Sequence, residues 1–180
     1  MQTAIMEVAI LSPAGELERL FREHHGLVFR TAYRITGNAS DAEDVLQTVF
    51  LRLAGRGPAS PPLEDSASYL RRASINAALD VVRGRHADEG RPLDDTLAER
   101  SRPDRYELQE CLRRALAHLG RKEAEVFALR YLEGHSNSEI ARMLGRSQVW
   151  VAVTLYRARR RLQQEIRSYR ESQGGQGGKP

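Results

Sequence analysis

A chain of 180 residues has room for one ordinary domain or two small helical ones, and 6% aromatic content with few alternating β-branched runs gives little material for a sheet. Its single cysteine, Cys111, excludes an internal disulfide and a multi-thiolate metal site, and no apolar run nears the roughly 20 residues that a membrane span requires. The net charge of +4 is unevenly placed: residues 1–104 hold 13 Lys/Arg and 16 Asp/Glu, a balance of −3, whereas residues 105–170 hold 14 and 7, a balance of +7, so the second half is the candidate surface for a polyanion.

The opening MQTAIMEVAI has no basic residue ahead of its short apolar stretch, unlike a secretory leader, and a cytoplasmic protein is expected. Leu17, Leu20, Phe21, His24, Leu27, Val28 and Ile35 then form one stripe, predicting a helix over about 15–36 that ends at Gly37. Ser40 stands three residues before Glu43, the spacing of a capping box, and Val45, Leu46, Val49, Phe50 and Leu53 give a second helix, about 41–54, its inner face. Three prolines and two glycines make GRGPASPPLEDSA a loop. The third helix, about 66–84, turns Leu70, Ala73, Ala77 and Val81 inward.

Residues 86–104 lose the apolar period and gather charge, glycine and proline, as a solvated connector does. They divide the chain into domains at 1–85 and 105–170, followed by a disordered tail at 171–180. The second domain reads as helices at about 105–118, 121–132, 136–144 and 147–170, punctuated by Gly120, Gly134 and Gly145. Ser136 with Glu139 makes another capping box, and Ser147 is a natural N-cap. Leu116, Leu119, Val126, Phe127, Ile140, Leu144, Val151 and Leu155 are the expected core. The fold class is therefore all-α: two small helical domains joined by a flexible linker, the C-terminal one a helix-turn-helix.

A capped short helix, a glycine at the tight turn and a longer helix with a basic continuation is the order that places a second helix in the major groove, with flanking cations on phosphates. The sequence SNSEIARMLGRSQVWVAVTLYRARRRL has this order. Through EIARMLGRS and its RARRRL ending it resembles the C-terminal DNA-binding domain of bacterial sigma factors of the extracytoplasmic-function (ECF) group. The first half adds two segments of the same family. DAEDVLQTVFLRL resembles the segment that grips the clamp helices of the polymerase large subunit β′, and SYLRRASINAALDVVRGR is similar to the helix that melts and reads the −10 element.

The resemblance covers about residues 15–170 and implies a promoter-recognition subunit whose partners are core RNA polymerase, through the β′ clamp helices and the β flap, and promoter DNA. It implies polymerase contacts at Asp41, Glu43, Asp44, Gln47 and Phe50. Contacts at the −10 element fall to Asn76, Asp80, Arg83 and Arg85, and for Asn76 a helix-capping or core polar role stays open beside that one. Those at the −35 element fall to Arg146, Ser147, Gln148, Trp150 and Thr154, with Arg157, Arg159, Arg160 and Arg161 on phosphates. An anti-sigma factor or another recruiting protein is a further partner class that such a chain admits. Independently of the family, Asp41, Glu43 and Asp44 crowd a helix N-terminus, where the dipole favours them and where they form an acidic rim for a basic partner.

The recognition helix departs from the family's frequent Gly-Thr-Val-Lys-Ser-Arg and reads Val149-Trp150-Val151-Ala152-Val153-Thr154, which lacks two cations. Reading of thymine methyls by Trp150 or Val153, and an apolar patch for a protein partner, both stay open. Tyr69 stands where tryptophan is frequent and Ile75 where arginine is frequent. Two rivals remain: a stand-alone helix-turn-helix regulator, and an interaction adaptor with a degenerate recognition helix. His24 and His25, about 100° apart on a helix, make a poor metal pair. With no Gly-rich phosphate loop, His/Cys cluster or nucleophile motif, neither cofactor, metal nor catalysis is expected.

Overall fold

The computed structural model describes residues 13–56, 63–88 and 103–174, and every regular element among them is helical. The centre of the Pro-rich loop, most of the expected connector and the last six residues of the expected tail lie outside the described residues. We number the helices α1 (Pro13–Thr36), α2 (Ala39–Ala54), α3 (Ser66–Asp88), α4 (Pro103–His118), α5 (Arg121–Phe127, continued by a π turn at Ala128–Leu132), α6 (Asn137–Leu144) and α7 (Gln148–Gly174). Helix α3 runs into the expected connector as far as Asp88, and α7 runs into the expected tail as far as Gly174.

Helices α1, α2 and α3 pack on one another as a first bundle. Leu20, Val28, Ala32 and Ile35 of α1 and Val45, Val49, Phe50 and Leu53 of α2 are buried as their spacing requires, and Leu70, Ile75, Ala78 and Leu79 of α3 join the same core. Phe21, expected inside, is half exposed and meets Phe50 edge-on, with ring centroids 4.9 Å apart. His24 Nε2 lies 3.0 Å from Ser66 Oγ, pinning the start of α3 to α1.

The turn between α1 and α2 corrects one expectation. Gly37 takes a positive φ of 69°, where a Cβ would be strained and would also meet the Arg113 guanidinium of α4. The chain leaves it extended at Asn38, whose Oδ1 accepts from the Asp41 amide at 3.2 Å. Asn38 is therefore the N-cap, and Ser40 falls inside the first turn, too late to cap it.

Helices α4, α5 and α6 close a second bundle around α7. Its local signals act as the sequence predicts. The Ser136 amide donates to Glu139 Oε2 at 2.7 Å while the Glu139 amide donates back to Ser136 Oγ. Gly145 ends α6 at φ 60°, and Ser147 Oγ accepts from the Trp150 amide at 3.1 Å. Leu116, Leu119, Val126, Ile140, Val151 and Leu155 are buried, and Phe127 and Leu144 pack partly buried against them.

The two bundles meet where α3 packs on α4 and α5. This accounts for the weak amphipathic pattern of α3: Ile75, Ala78, Leu79 and Val82 bury one side, and the polar Arg71, Arg72, Asn76 and Arg83 are themselves half-buried. Removing an N-cap side chain costs about 0.5–2 kcal/mol, so Asn38→Ala is expected to lower the urea unfolding midpoint by a corresponding amount while Ser40→Ala leaves it nearly unchanged; the reverse order in equilibrium unfolding would assign the cap to Ser40.

Candidate nucleic-acid interface

Helix α7 owes its position to three local devices: the Gly145 turn, the Ser147 cap, and the inward residues Val151, Leu155, Ala158 and Leu162 at helical spacing. The opposite face is open. Arg146, Ser147 and Gln148 are exposed at its entry, and Arg157, Arg159 and Arg160 are exposed beyond its middle. Between them Val149, Val153 and Tyr156 form an apolar stripe, with Val149 74% and Tyr156 63% accessible.

Two residues expected on that face are placed elsewhere. Thr154 is only 7% accessible and its hydroxyl donates to the Trp150 carbonyl at 2.8 Å, so its hydrogen bond is made inside the helix. Trp150 packs partly buried on the core beneath the Arg146 guanidinium, which sits 5.6 Å from the ring centroid. Arg161 donates to Glu123 at 2.8 Å and ties α7 to the start of α5. The stripe of Val149 and Tyr156 was not singled out from the sequence, although the spacing i, i+4, i+7 through Val153 is legible there.

On α2, Glu43, Asp44 and Gln47 are exposed, whereas Asp41 and Phe50 are buried. Asp41 Oδ1 accepts from Arg85 at 2.6 Å, so a residue expected on the polymerase face and one expected on DNA are each other's partners. Burial pushes the Asp41 carboxyl above its usual range; Arg85 pulls it down and Asp44 adds to the rise. Leu51, 71% accessible, lies one and two turns beyond Gln47 and Asp44 on the same stripe. It was not singled out from the sequence, although it falls off the inner stripe of Val45, Leu46, Val49, Phe50 and Leu53.

Of the α3 residues expected at the −10 element, Asn76, Asp80 and Arg83 face the second bundle, whereas Arg85 stays with Asp41 of the first. Asn76 Nδ2 donates to the Arg72 carbonyl at 2.9 Å and to Glu125 Oε1 at 3.3 Å, while its Oδ1 accepts from Arg121 at 3.4 Å. Asp80 lies 3.7 Å from the Arg121 guanidinium, and Arg83 donates to the Leu119 carbonyl at 3.2 Å.

The centre of this contact is Glu125 of α5, which is 0% accessible. It accepts from Arg72 at 3.1 Å and from Lys122 at 3.0 Å. Burial alone would raise its carboxyl, but the hydrogen bonds and charges of Lys122 and Arg72 outweigh it and hold Glu125 below the usual range. Arg72 also donates to the Met143 carbonyl at 2.9 Å. A second bridge forms at Glu133, just past the π turn, which accepts from Arg34 at 2.8 Å and from Arg71 at 3.2 Å. Sequence reasoning passed over Glu125, although an acid flanked by Ala124, Ala128 and Leu129 on a buried stripe is a signal of a buried ion pair.

Neither bundle contains a group of His, Cys, Asp and Glu able to hold a metal among the described residues, and no described helix is long and apolar enough to cross a membrane. Comparison with known proteins matches residues 20–87 to Sigma-70 region 2 and residues 109–162 to Sigma-70, region 4. The chain is 33% identical over 146 residues to the ECF RNA polymerase sigma factor SigM of Mycobacterium tuberculosis, covering 81% of this chain and 74% of that one. It is 33% identical over 158 residues to the RNA polymerase sigma-E factor of Streptomyces coelicolor, covering 84% and 86%. Among solved structures, CnrH in complex with the cytosolic domain of CnrY aligns at a TM-score of 0.48 and 25% identity over 84% of this chain and 88% of that one. Region 2 followed by region 4, with sigma-E and SigM as relatives over most of their length, places this chain among the ECF sigma factors, the RNA polymerase subunits that direct promoter-specific transcription.

Proposed function

We propose that the two promoter elements and the polymerase are divided among three helices, with residues 1–85 and 105–170 as the working domains and no catalytic step carried by the chain itself. Helix α2 meets the β′ clamp helices through Glu43, Asp44, Gln47 and Leu51. Helix α3 reads and opens the −10 element through Asn76, Asp80, Arg83 and Arg85. Helix α7 enters the −35 major groove at Arg146, Ser147 and Gln148, with Arg157, Arg159 and Arg160 on phosphates. The observation that carries this division is the α6–α7 unit. Its capped, glycine-turned geometry leaves one face of a long helix open with cations at both ends.

An acidic rim with a central leucine suits a basic helical partner, since charge sets approach and orientation while apolar contact holds the complex. On α2 the exposed Glu43 and Asp44 provide the first and Leu51 the second. Asp41 supports the face from below by its bond to Arg85.

The apolar stripe of α7 supports a second reading of that face alone. Val149 and Val153 can contact thymine methyls, but with Tyr156 they also suit the apolar side of a protein partner. The two readings diverge on duplexes: only the first makes Val153→Ser lose preference for the cognate −35 sequence.

Replacing Asp44 by Arg together with Leu51→Ala is expected to weaken binding to core polymerase by at least tenfold, with the circular-dichroism spectrum and DNA affinity unchanged. Undiminished affinity in a pull-down titration removes α2 from the interface. On DNA, Gln148→Ala is expected to cost about 1–3 kcal/mol on the cognate −35 duplex and little on a scrambled one. Arg160→Ala should weaken both alike and reduce the salt dependence of binding, because a phosphate contact releases counterions whatever the sequence. Equal losses from Gln148→Ala on both duplexes would show that Gln148 does not read bases.

A further inference from the structure

Arg146 is exposed, yet its side chain is not left to wander. The guanidinium lies 5.6 Å from the centroid of the Trp150 ring, one turn further along across the Ser147 cap. Among the described residues nothing else in the chain is bonded to that guanidinium, and residues 140–164 contain no acid to draw it aside. Resting on an indole face occupies the plane of the guanidinium but leaves its in-plane N–H edges unsatisfied and directed outward.

The ring beneath it is fixed from three sides. The Trp150 amide donates to Ser147 Oγ at 3.1 Å, its carbonyl accepts from the Thr154 hydroxyl at 2.8 Å, and its side chain packs partly buried on the core. Ser147 and Thr154, both expected on DNA, thus commit their oxygens to Trp150. An arginine already stacked on a fixed ring gives up little rotamer freedom when it binds, whereas a free one loses most of it.

A phosphate does not require such a device. It accepts from many directions, and the exposed Arg157, Arg159 and Arg160 further along α7 can meet it as mobile cations. A base edge is different, because two atoms in one plane have to be met by a fork held in that plane. Guanine offers O6 and N7, two acceptors matched to a guanidinium. Adenine sets a donor beside its acceptor and cytosine presents a donor, so each opposes the fork.

We propose, on the reading of α7 as the −35 helix, that Trp150 is a positioning residue: it holds the Arg146 guanidinium edge-on to the major groove, so that Arg146 forks onto one guanine of the −35 element. Arg146 touches the base, Trp150 acts through Arg146, and Ser147 and Thr154 steady the ring. Specificity at the entry to α7 therefore begins with an aromatic side chain that itself meets no base.

The −35 sequence is first selected by wild-type holoenzyme, core polymerase with the full-length chain, from a duplex pool randomised over both promoter elements. Each guanine of the selected −35 sequence is then replaced in turn by 7-deazaguanine, which pairs as guanine does but carries C–H in place of the N7 acceptor. Wild type should lose affinity several-fold at one guanine and little at the others. Arg146→Ala and Trp150→Leu should each bind the selected duplex about tenfold less tightly, the scale of one good base contact, and should no longer distinguish it from its 7-deaza form at that position. Trp150→Phe restores a ring and should recover most of both. Leucine keeps an apolar side chain against the core, and circular dichroism checks that α7 still forms. If Trp150 only packs, Trp150→Leu weakens every duplex but stays as sensitive to 7-deazaguanine as the wild type, which overturns the platform. A selected sequence without guanine overturns it as well, as does a wild type indifferent to 7-deazaguanine at every position while Gln148→Ala still loses preference for the selected sequence. A pool that yields no shared sequence upstream of the −10 element overturns the reading of α7 as the −35 helix itself, and the platform with it.

Discussion

A carboxylate removed from water has to be matched by donors, and this requirement at Glu125 organises the centre of the molecule. The donors come from Lys122 one turn away and from Arg72 and Asn76, which stand 53 and 49 residues earlier in the chain. Satisfying one side chain therefore fixes α5 against α3. Once that contact is made, Leu119 is brought to Arg83, Met143 to Arg72 and Glu133 to Arg34 and Arg71. The cost of leaving Glu125 unmatched is what gives the interface its register. Surface ion pairs such as Arg19–Glu23 carry no comparable constraint, because water serves either partner as well.

Helix α3 consequently has two masters. Its Leu70, Ile75 and Leu79 are buried in the core, and its Arg72, Asn76, Asp80 and Arg83 meet polar groups of the second bundle. An interface of this composition is weaker than a hydrophobic one of equal area, since each hydrogen bond formed replaces one to solvent.

Features written within a few residues of one another were legible in the sequence. Ser136 with Glu139, Gly145 and Ser147 each act within one helical turn, and all three operate as their residue types dictate. Asn38 and Ser40 show the limit of that reading. Both are good caps, and the choice fell to Asn38 because Gly37 delivers an extended residue to that position. Thr154 and Trp150 show another: the helix was placed correctly, but its rotation about its own axis decides which side chain meets solvent, and that is set by Val151 and Leu155 reaching the core. Glu125 was legible only in part: its place on a buried stripe with Ala124, Ala128 and Leu129 marks a paired acid and Lys122 lies one turn away, but Arg72 and Asn76 stand on another domain, and no periodicity within α5 records them.

The chain contains one tryptophan, and it sits on α7 under a guanidinium. The first bundle and α4 to α6 are accordingly silent in indole emission, and the whole tryptophan signal of the protein originates at the entry to α7. Arg146 is at once the cation that covers the ring and an exposed residue at that entry. Whatever draws that arginine away uncovers one face of the indole, so the molecule carries its own optical gauge of events at the start of α7, free of any label.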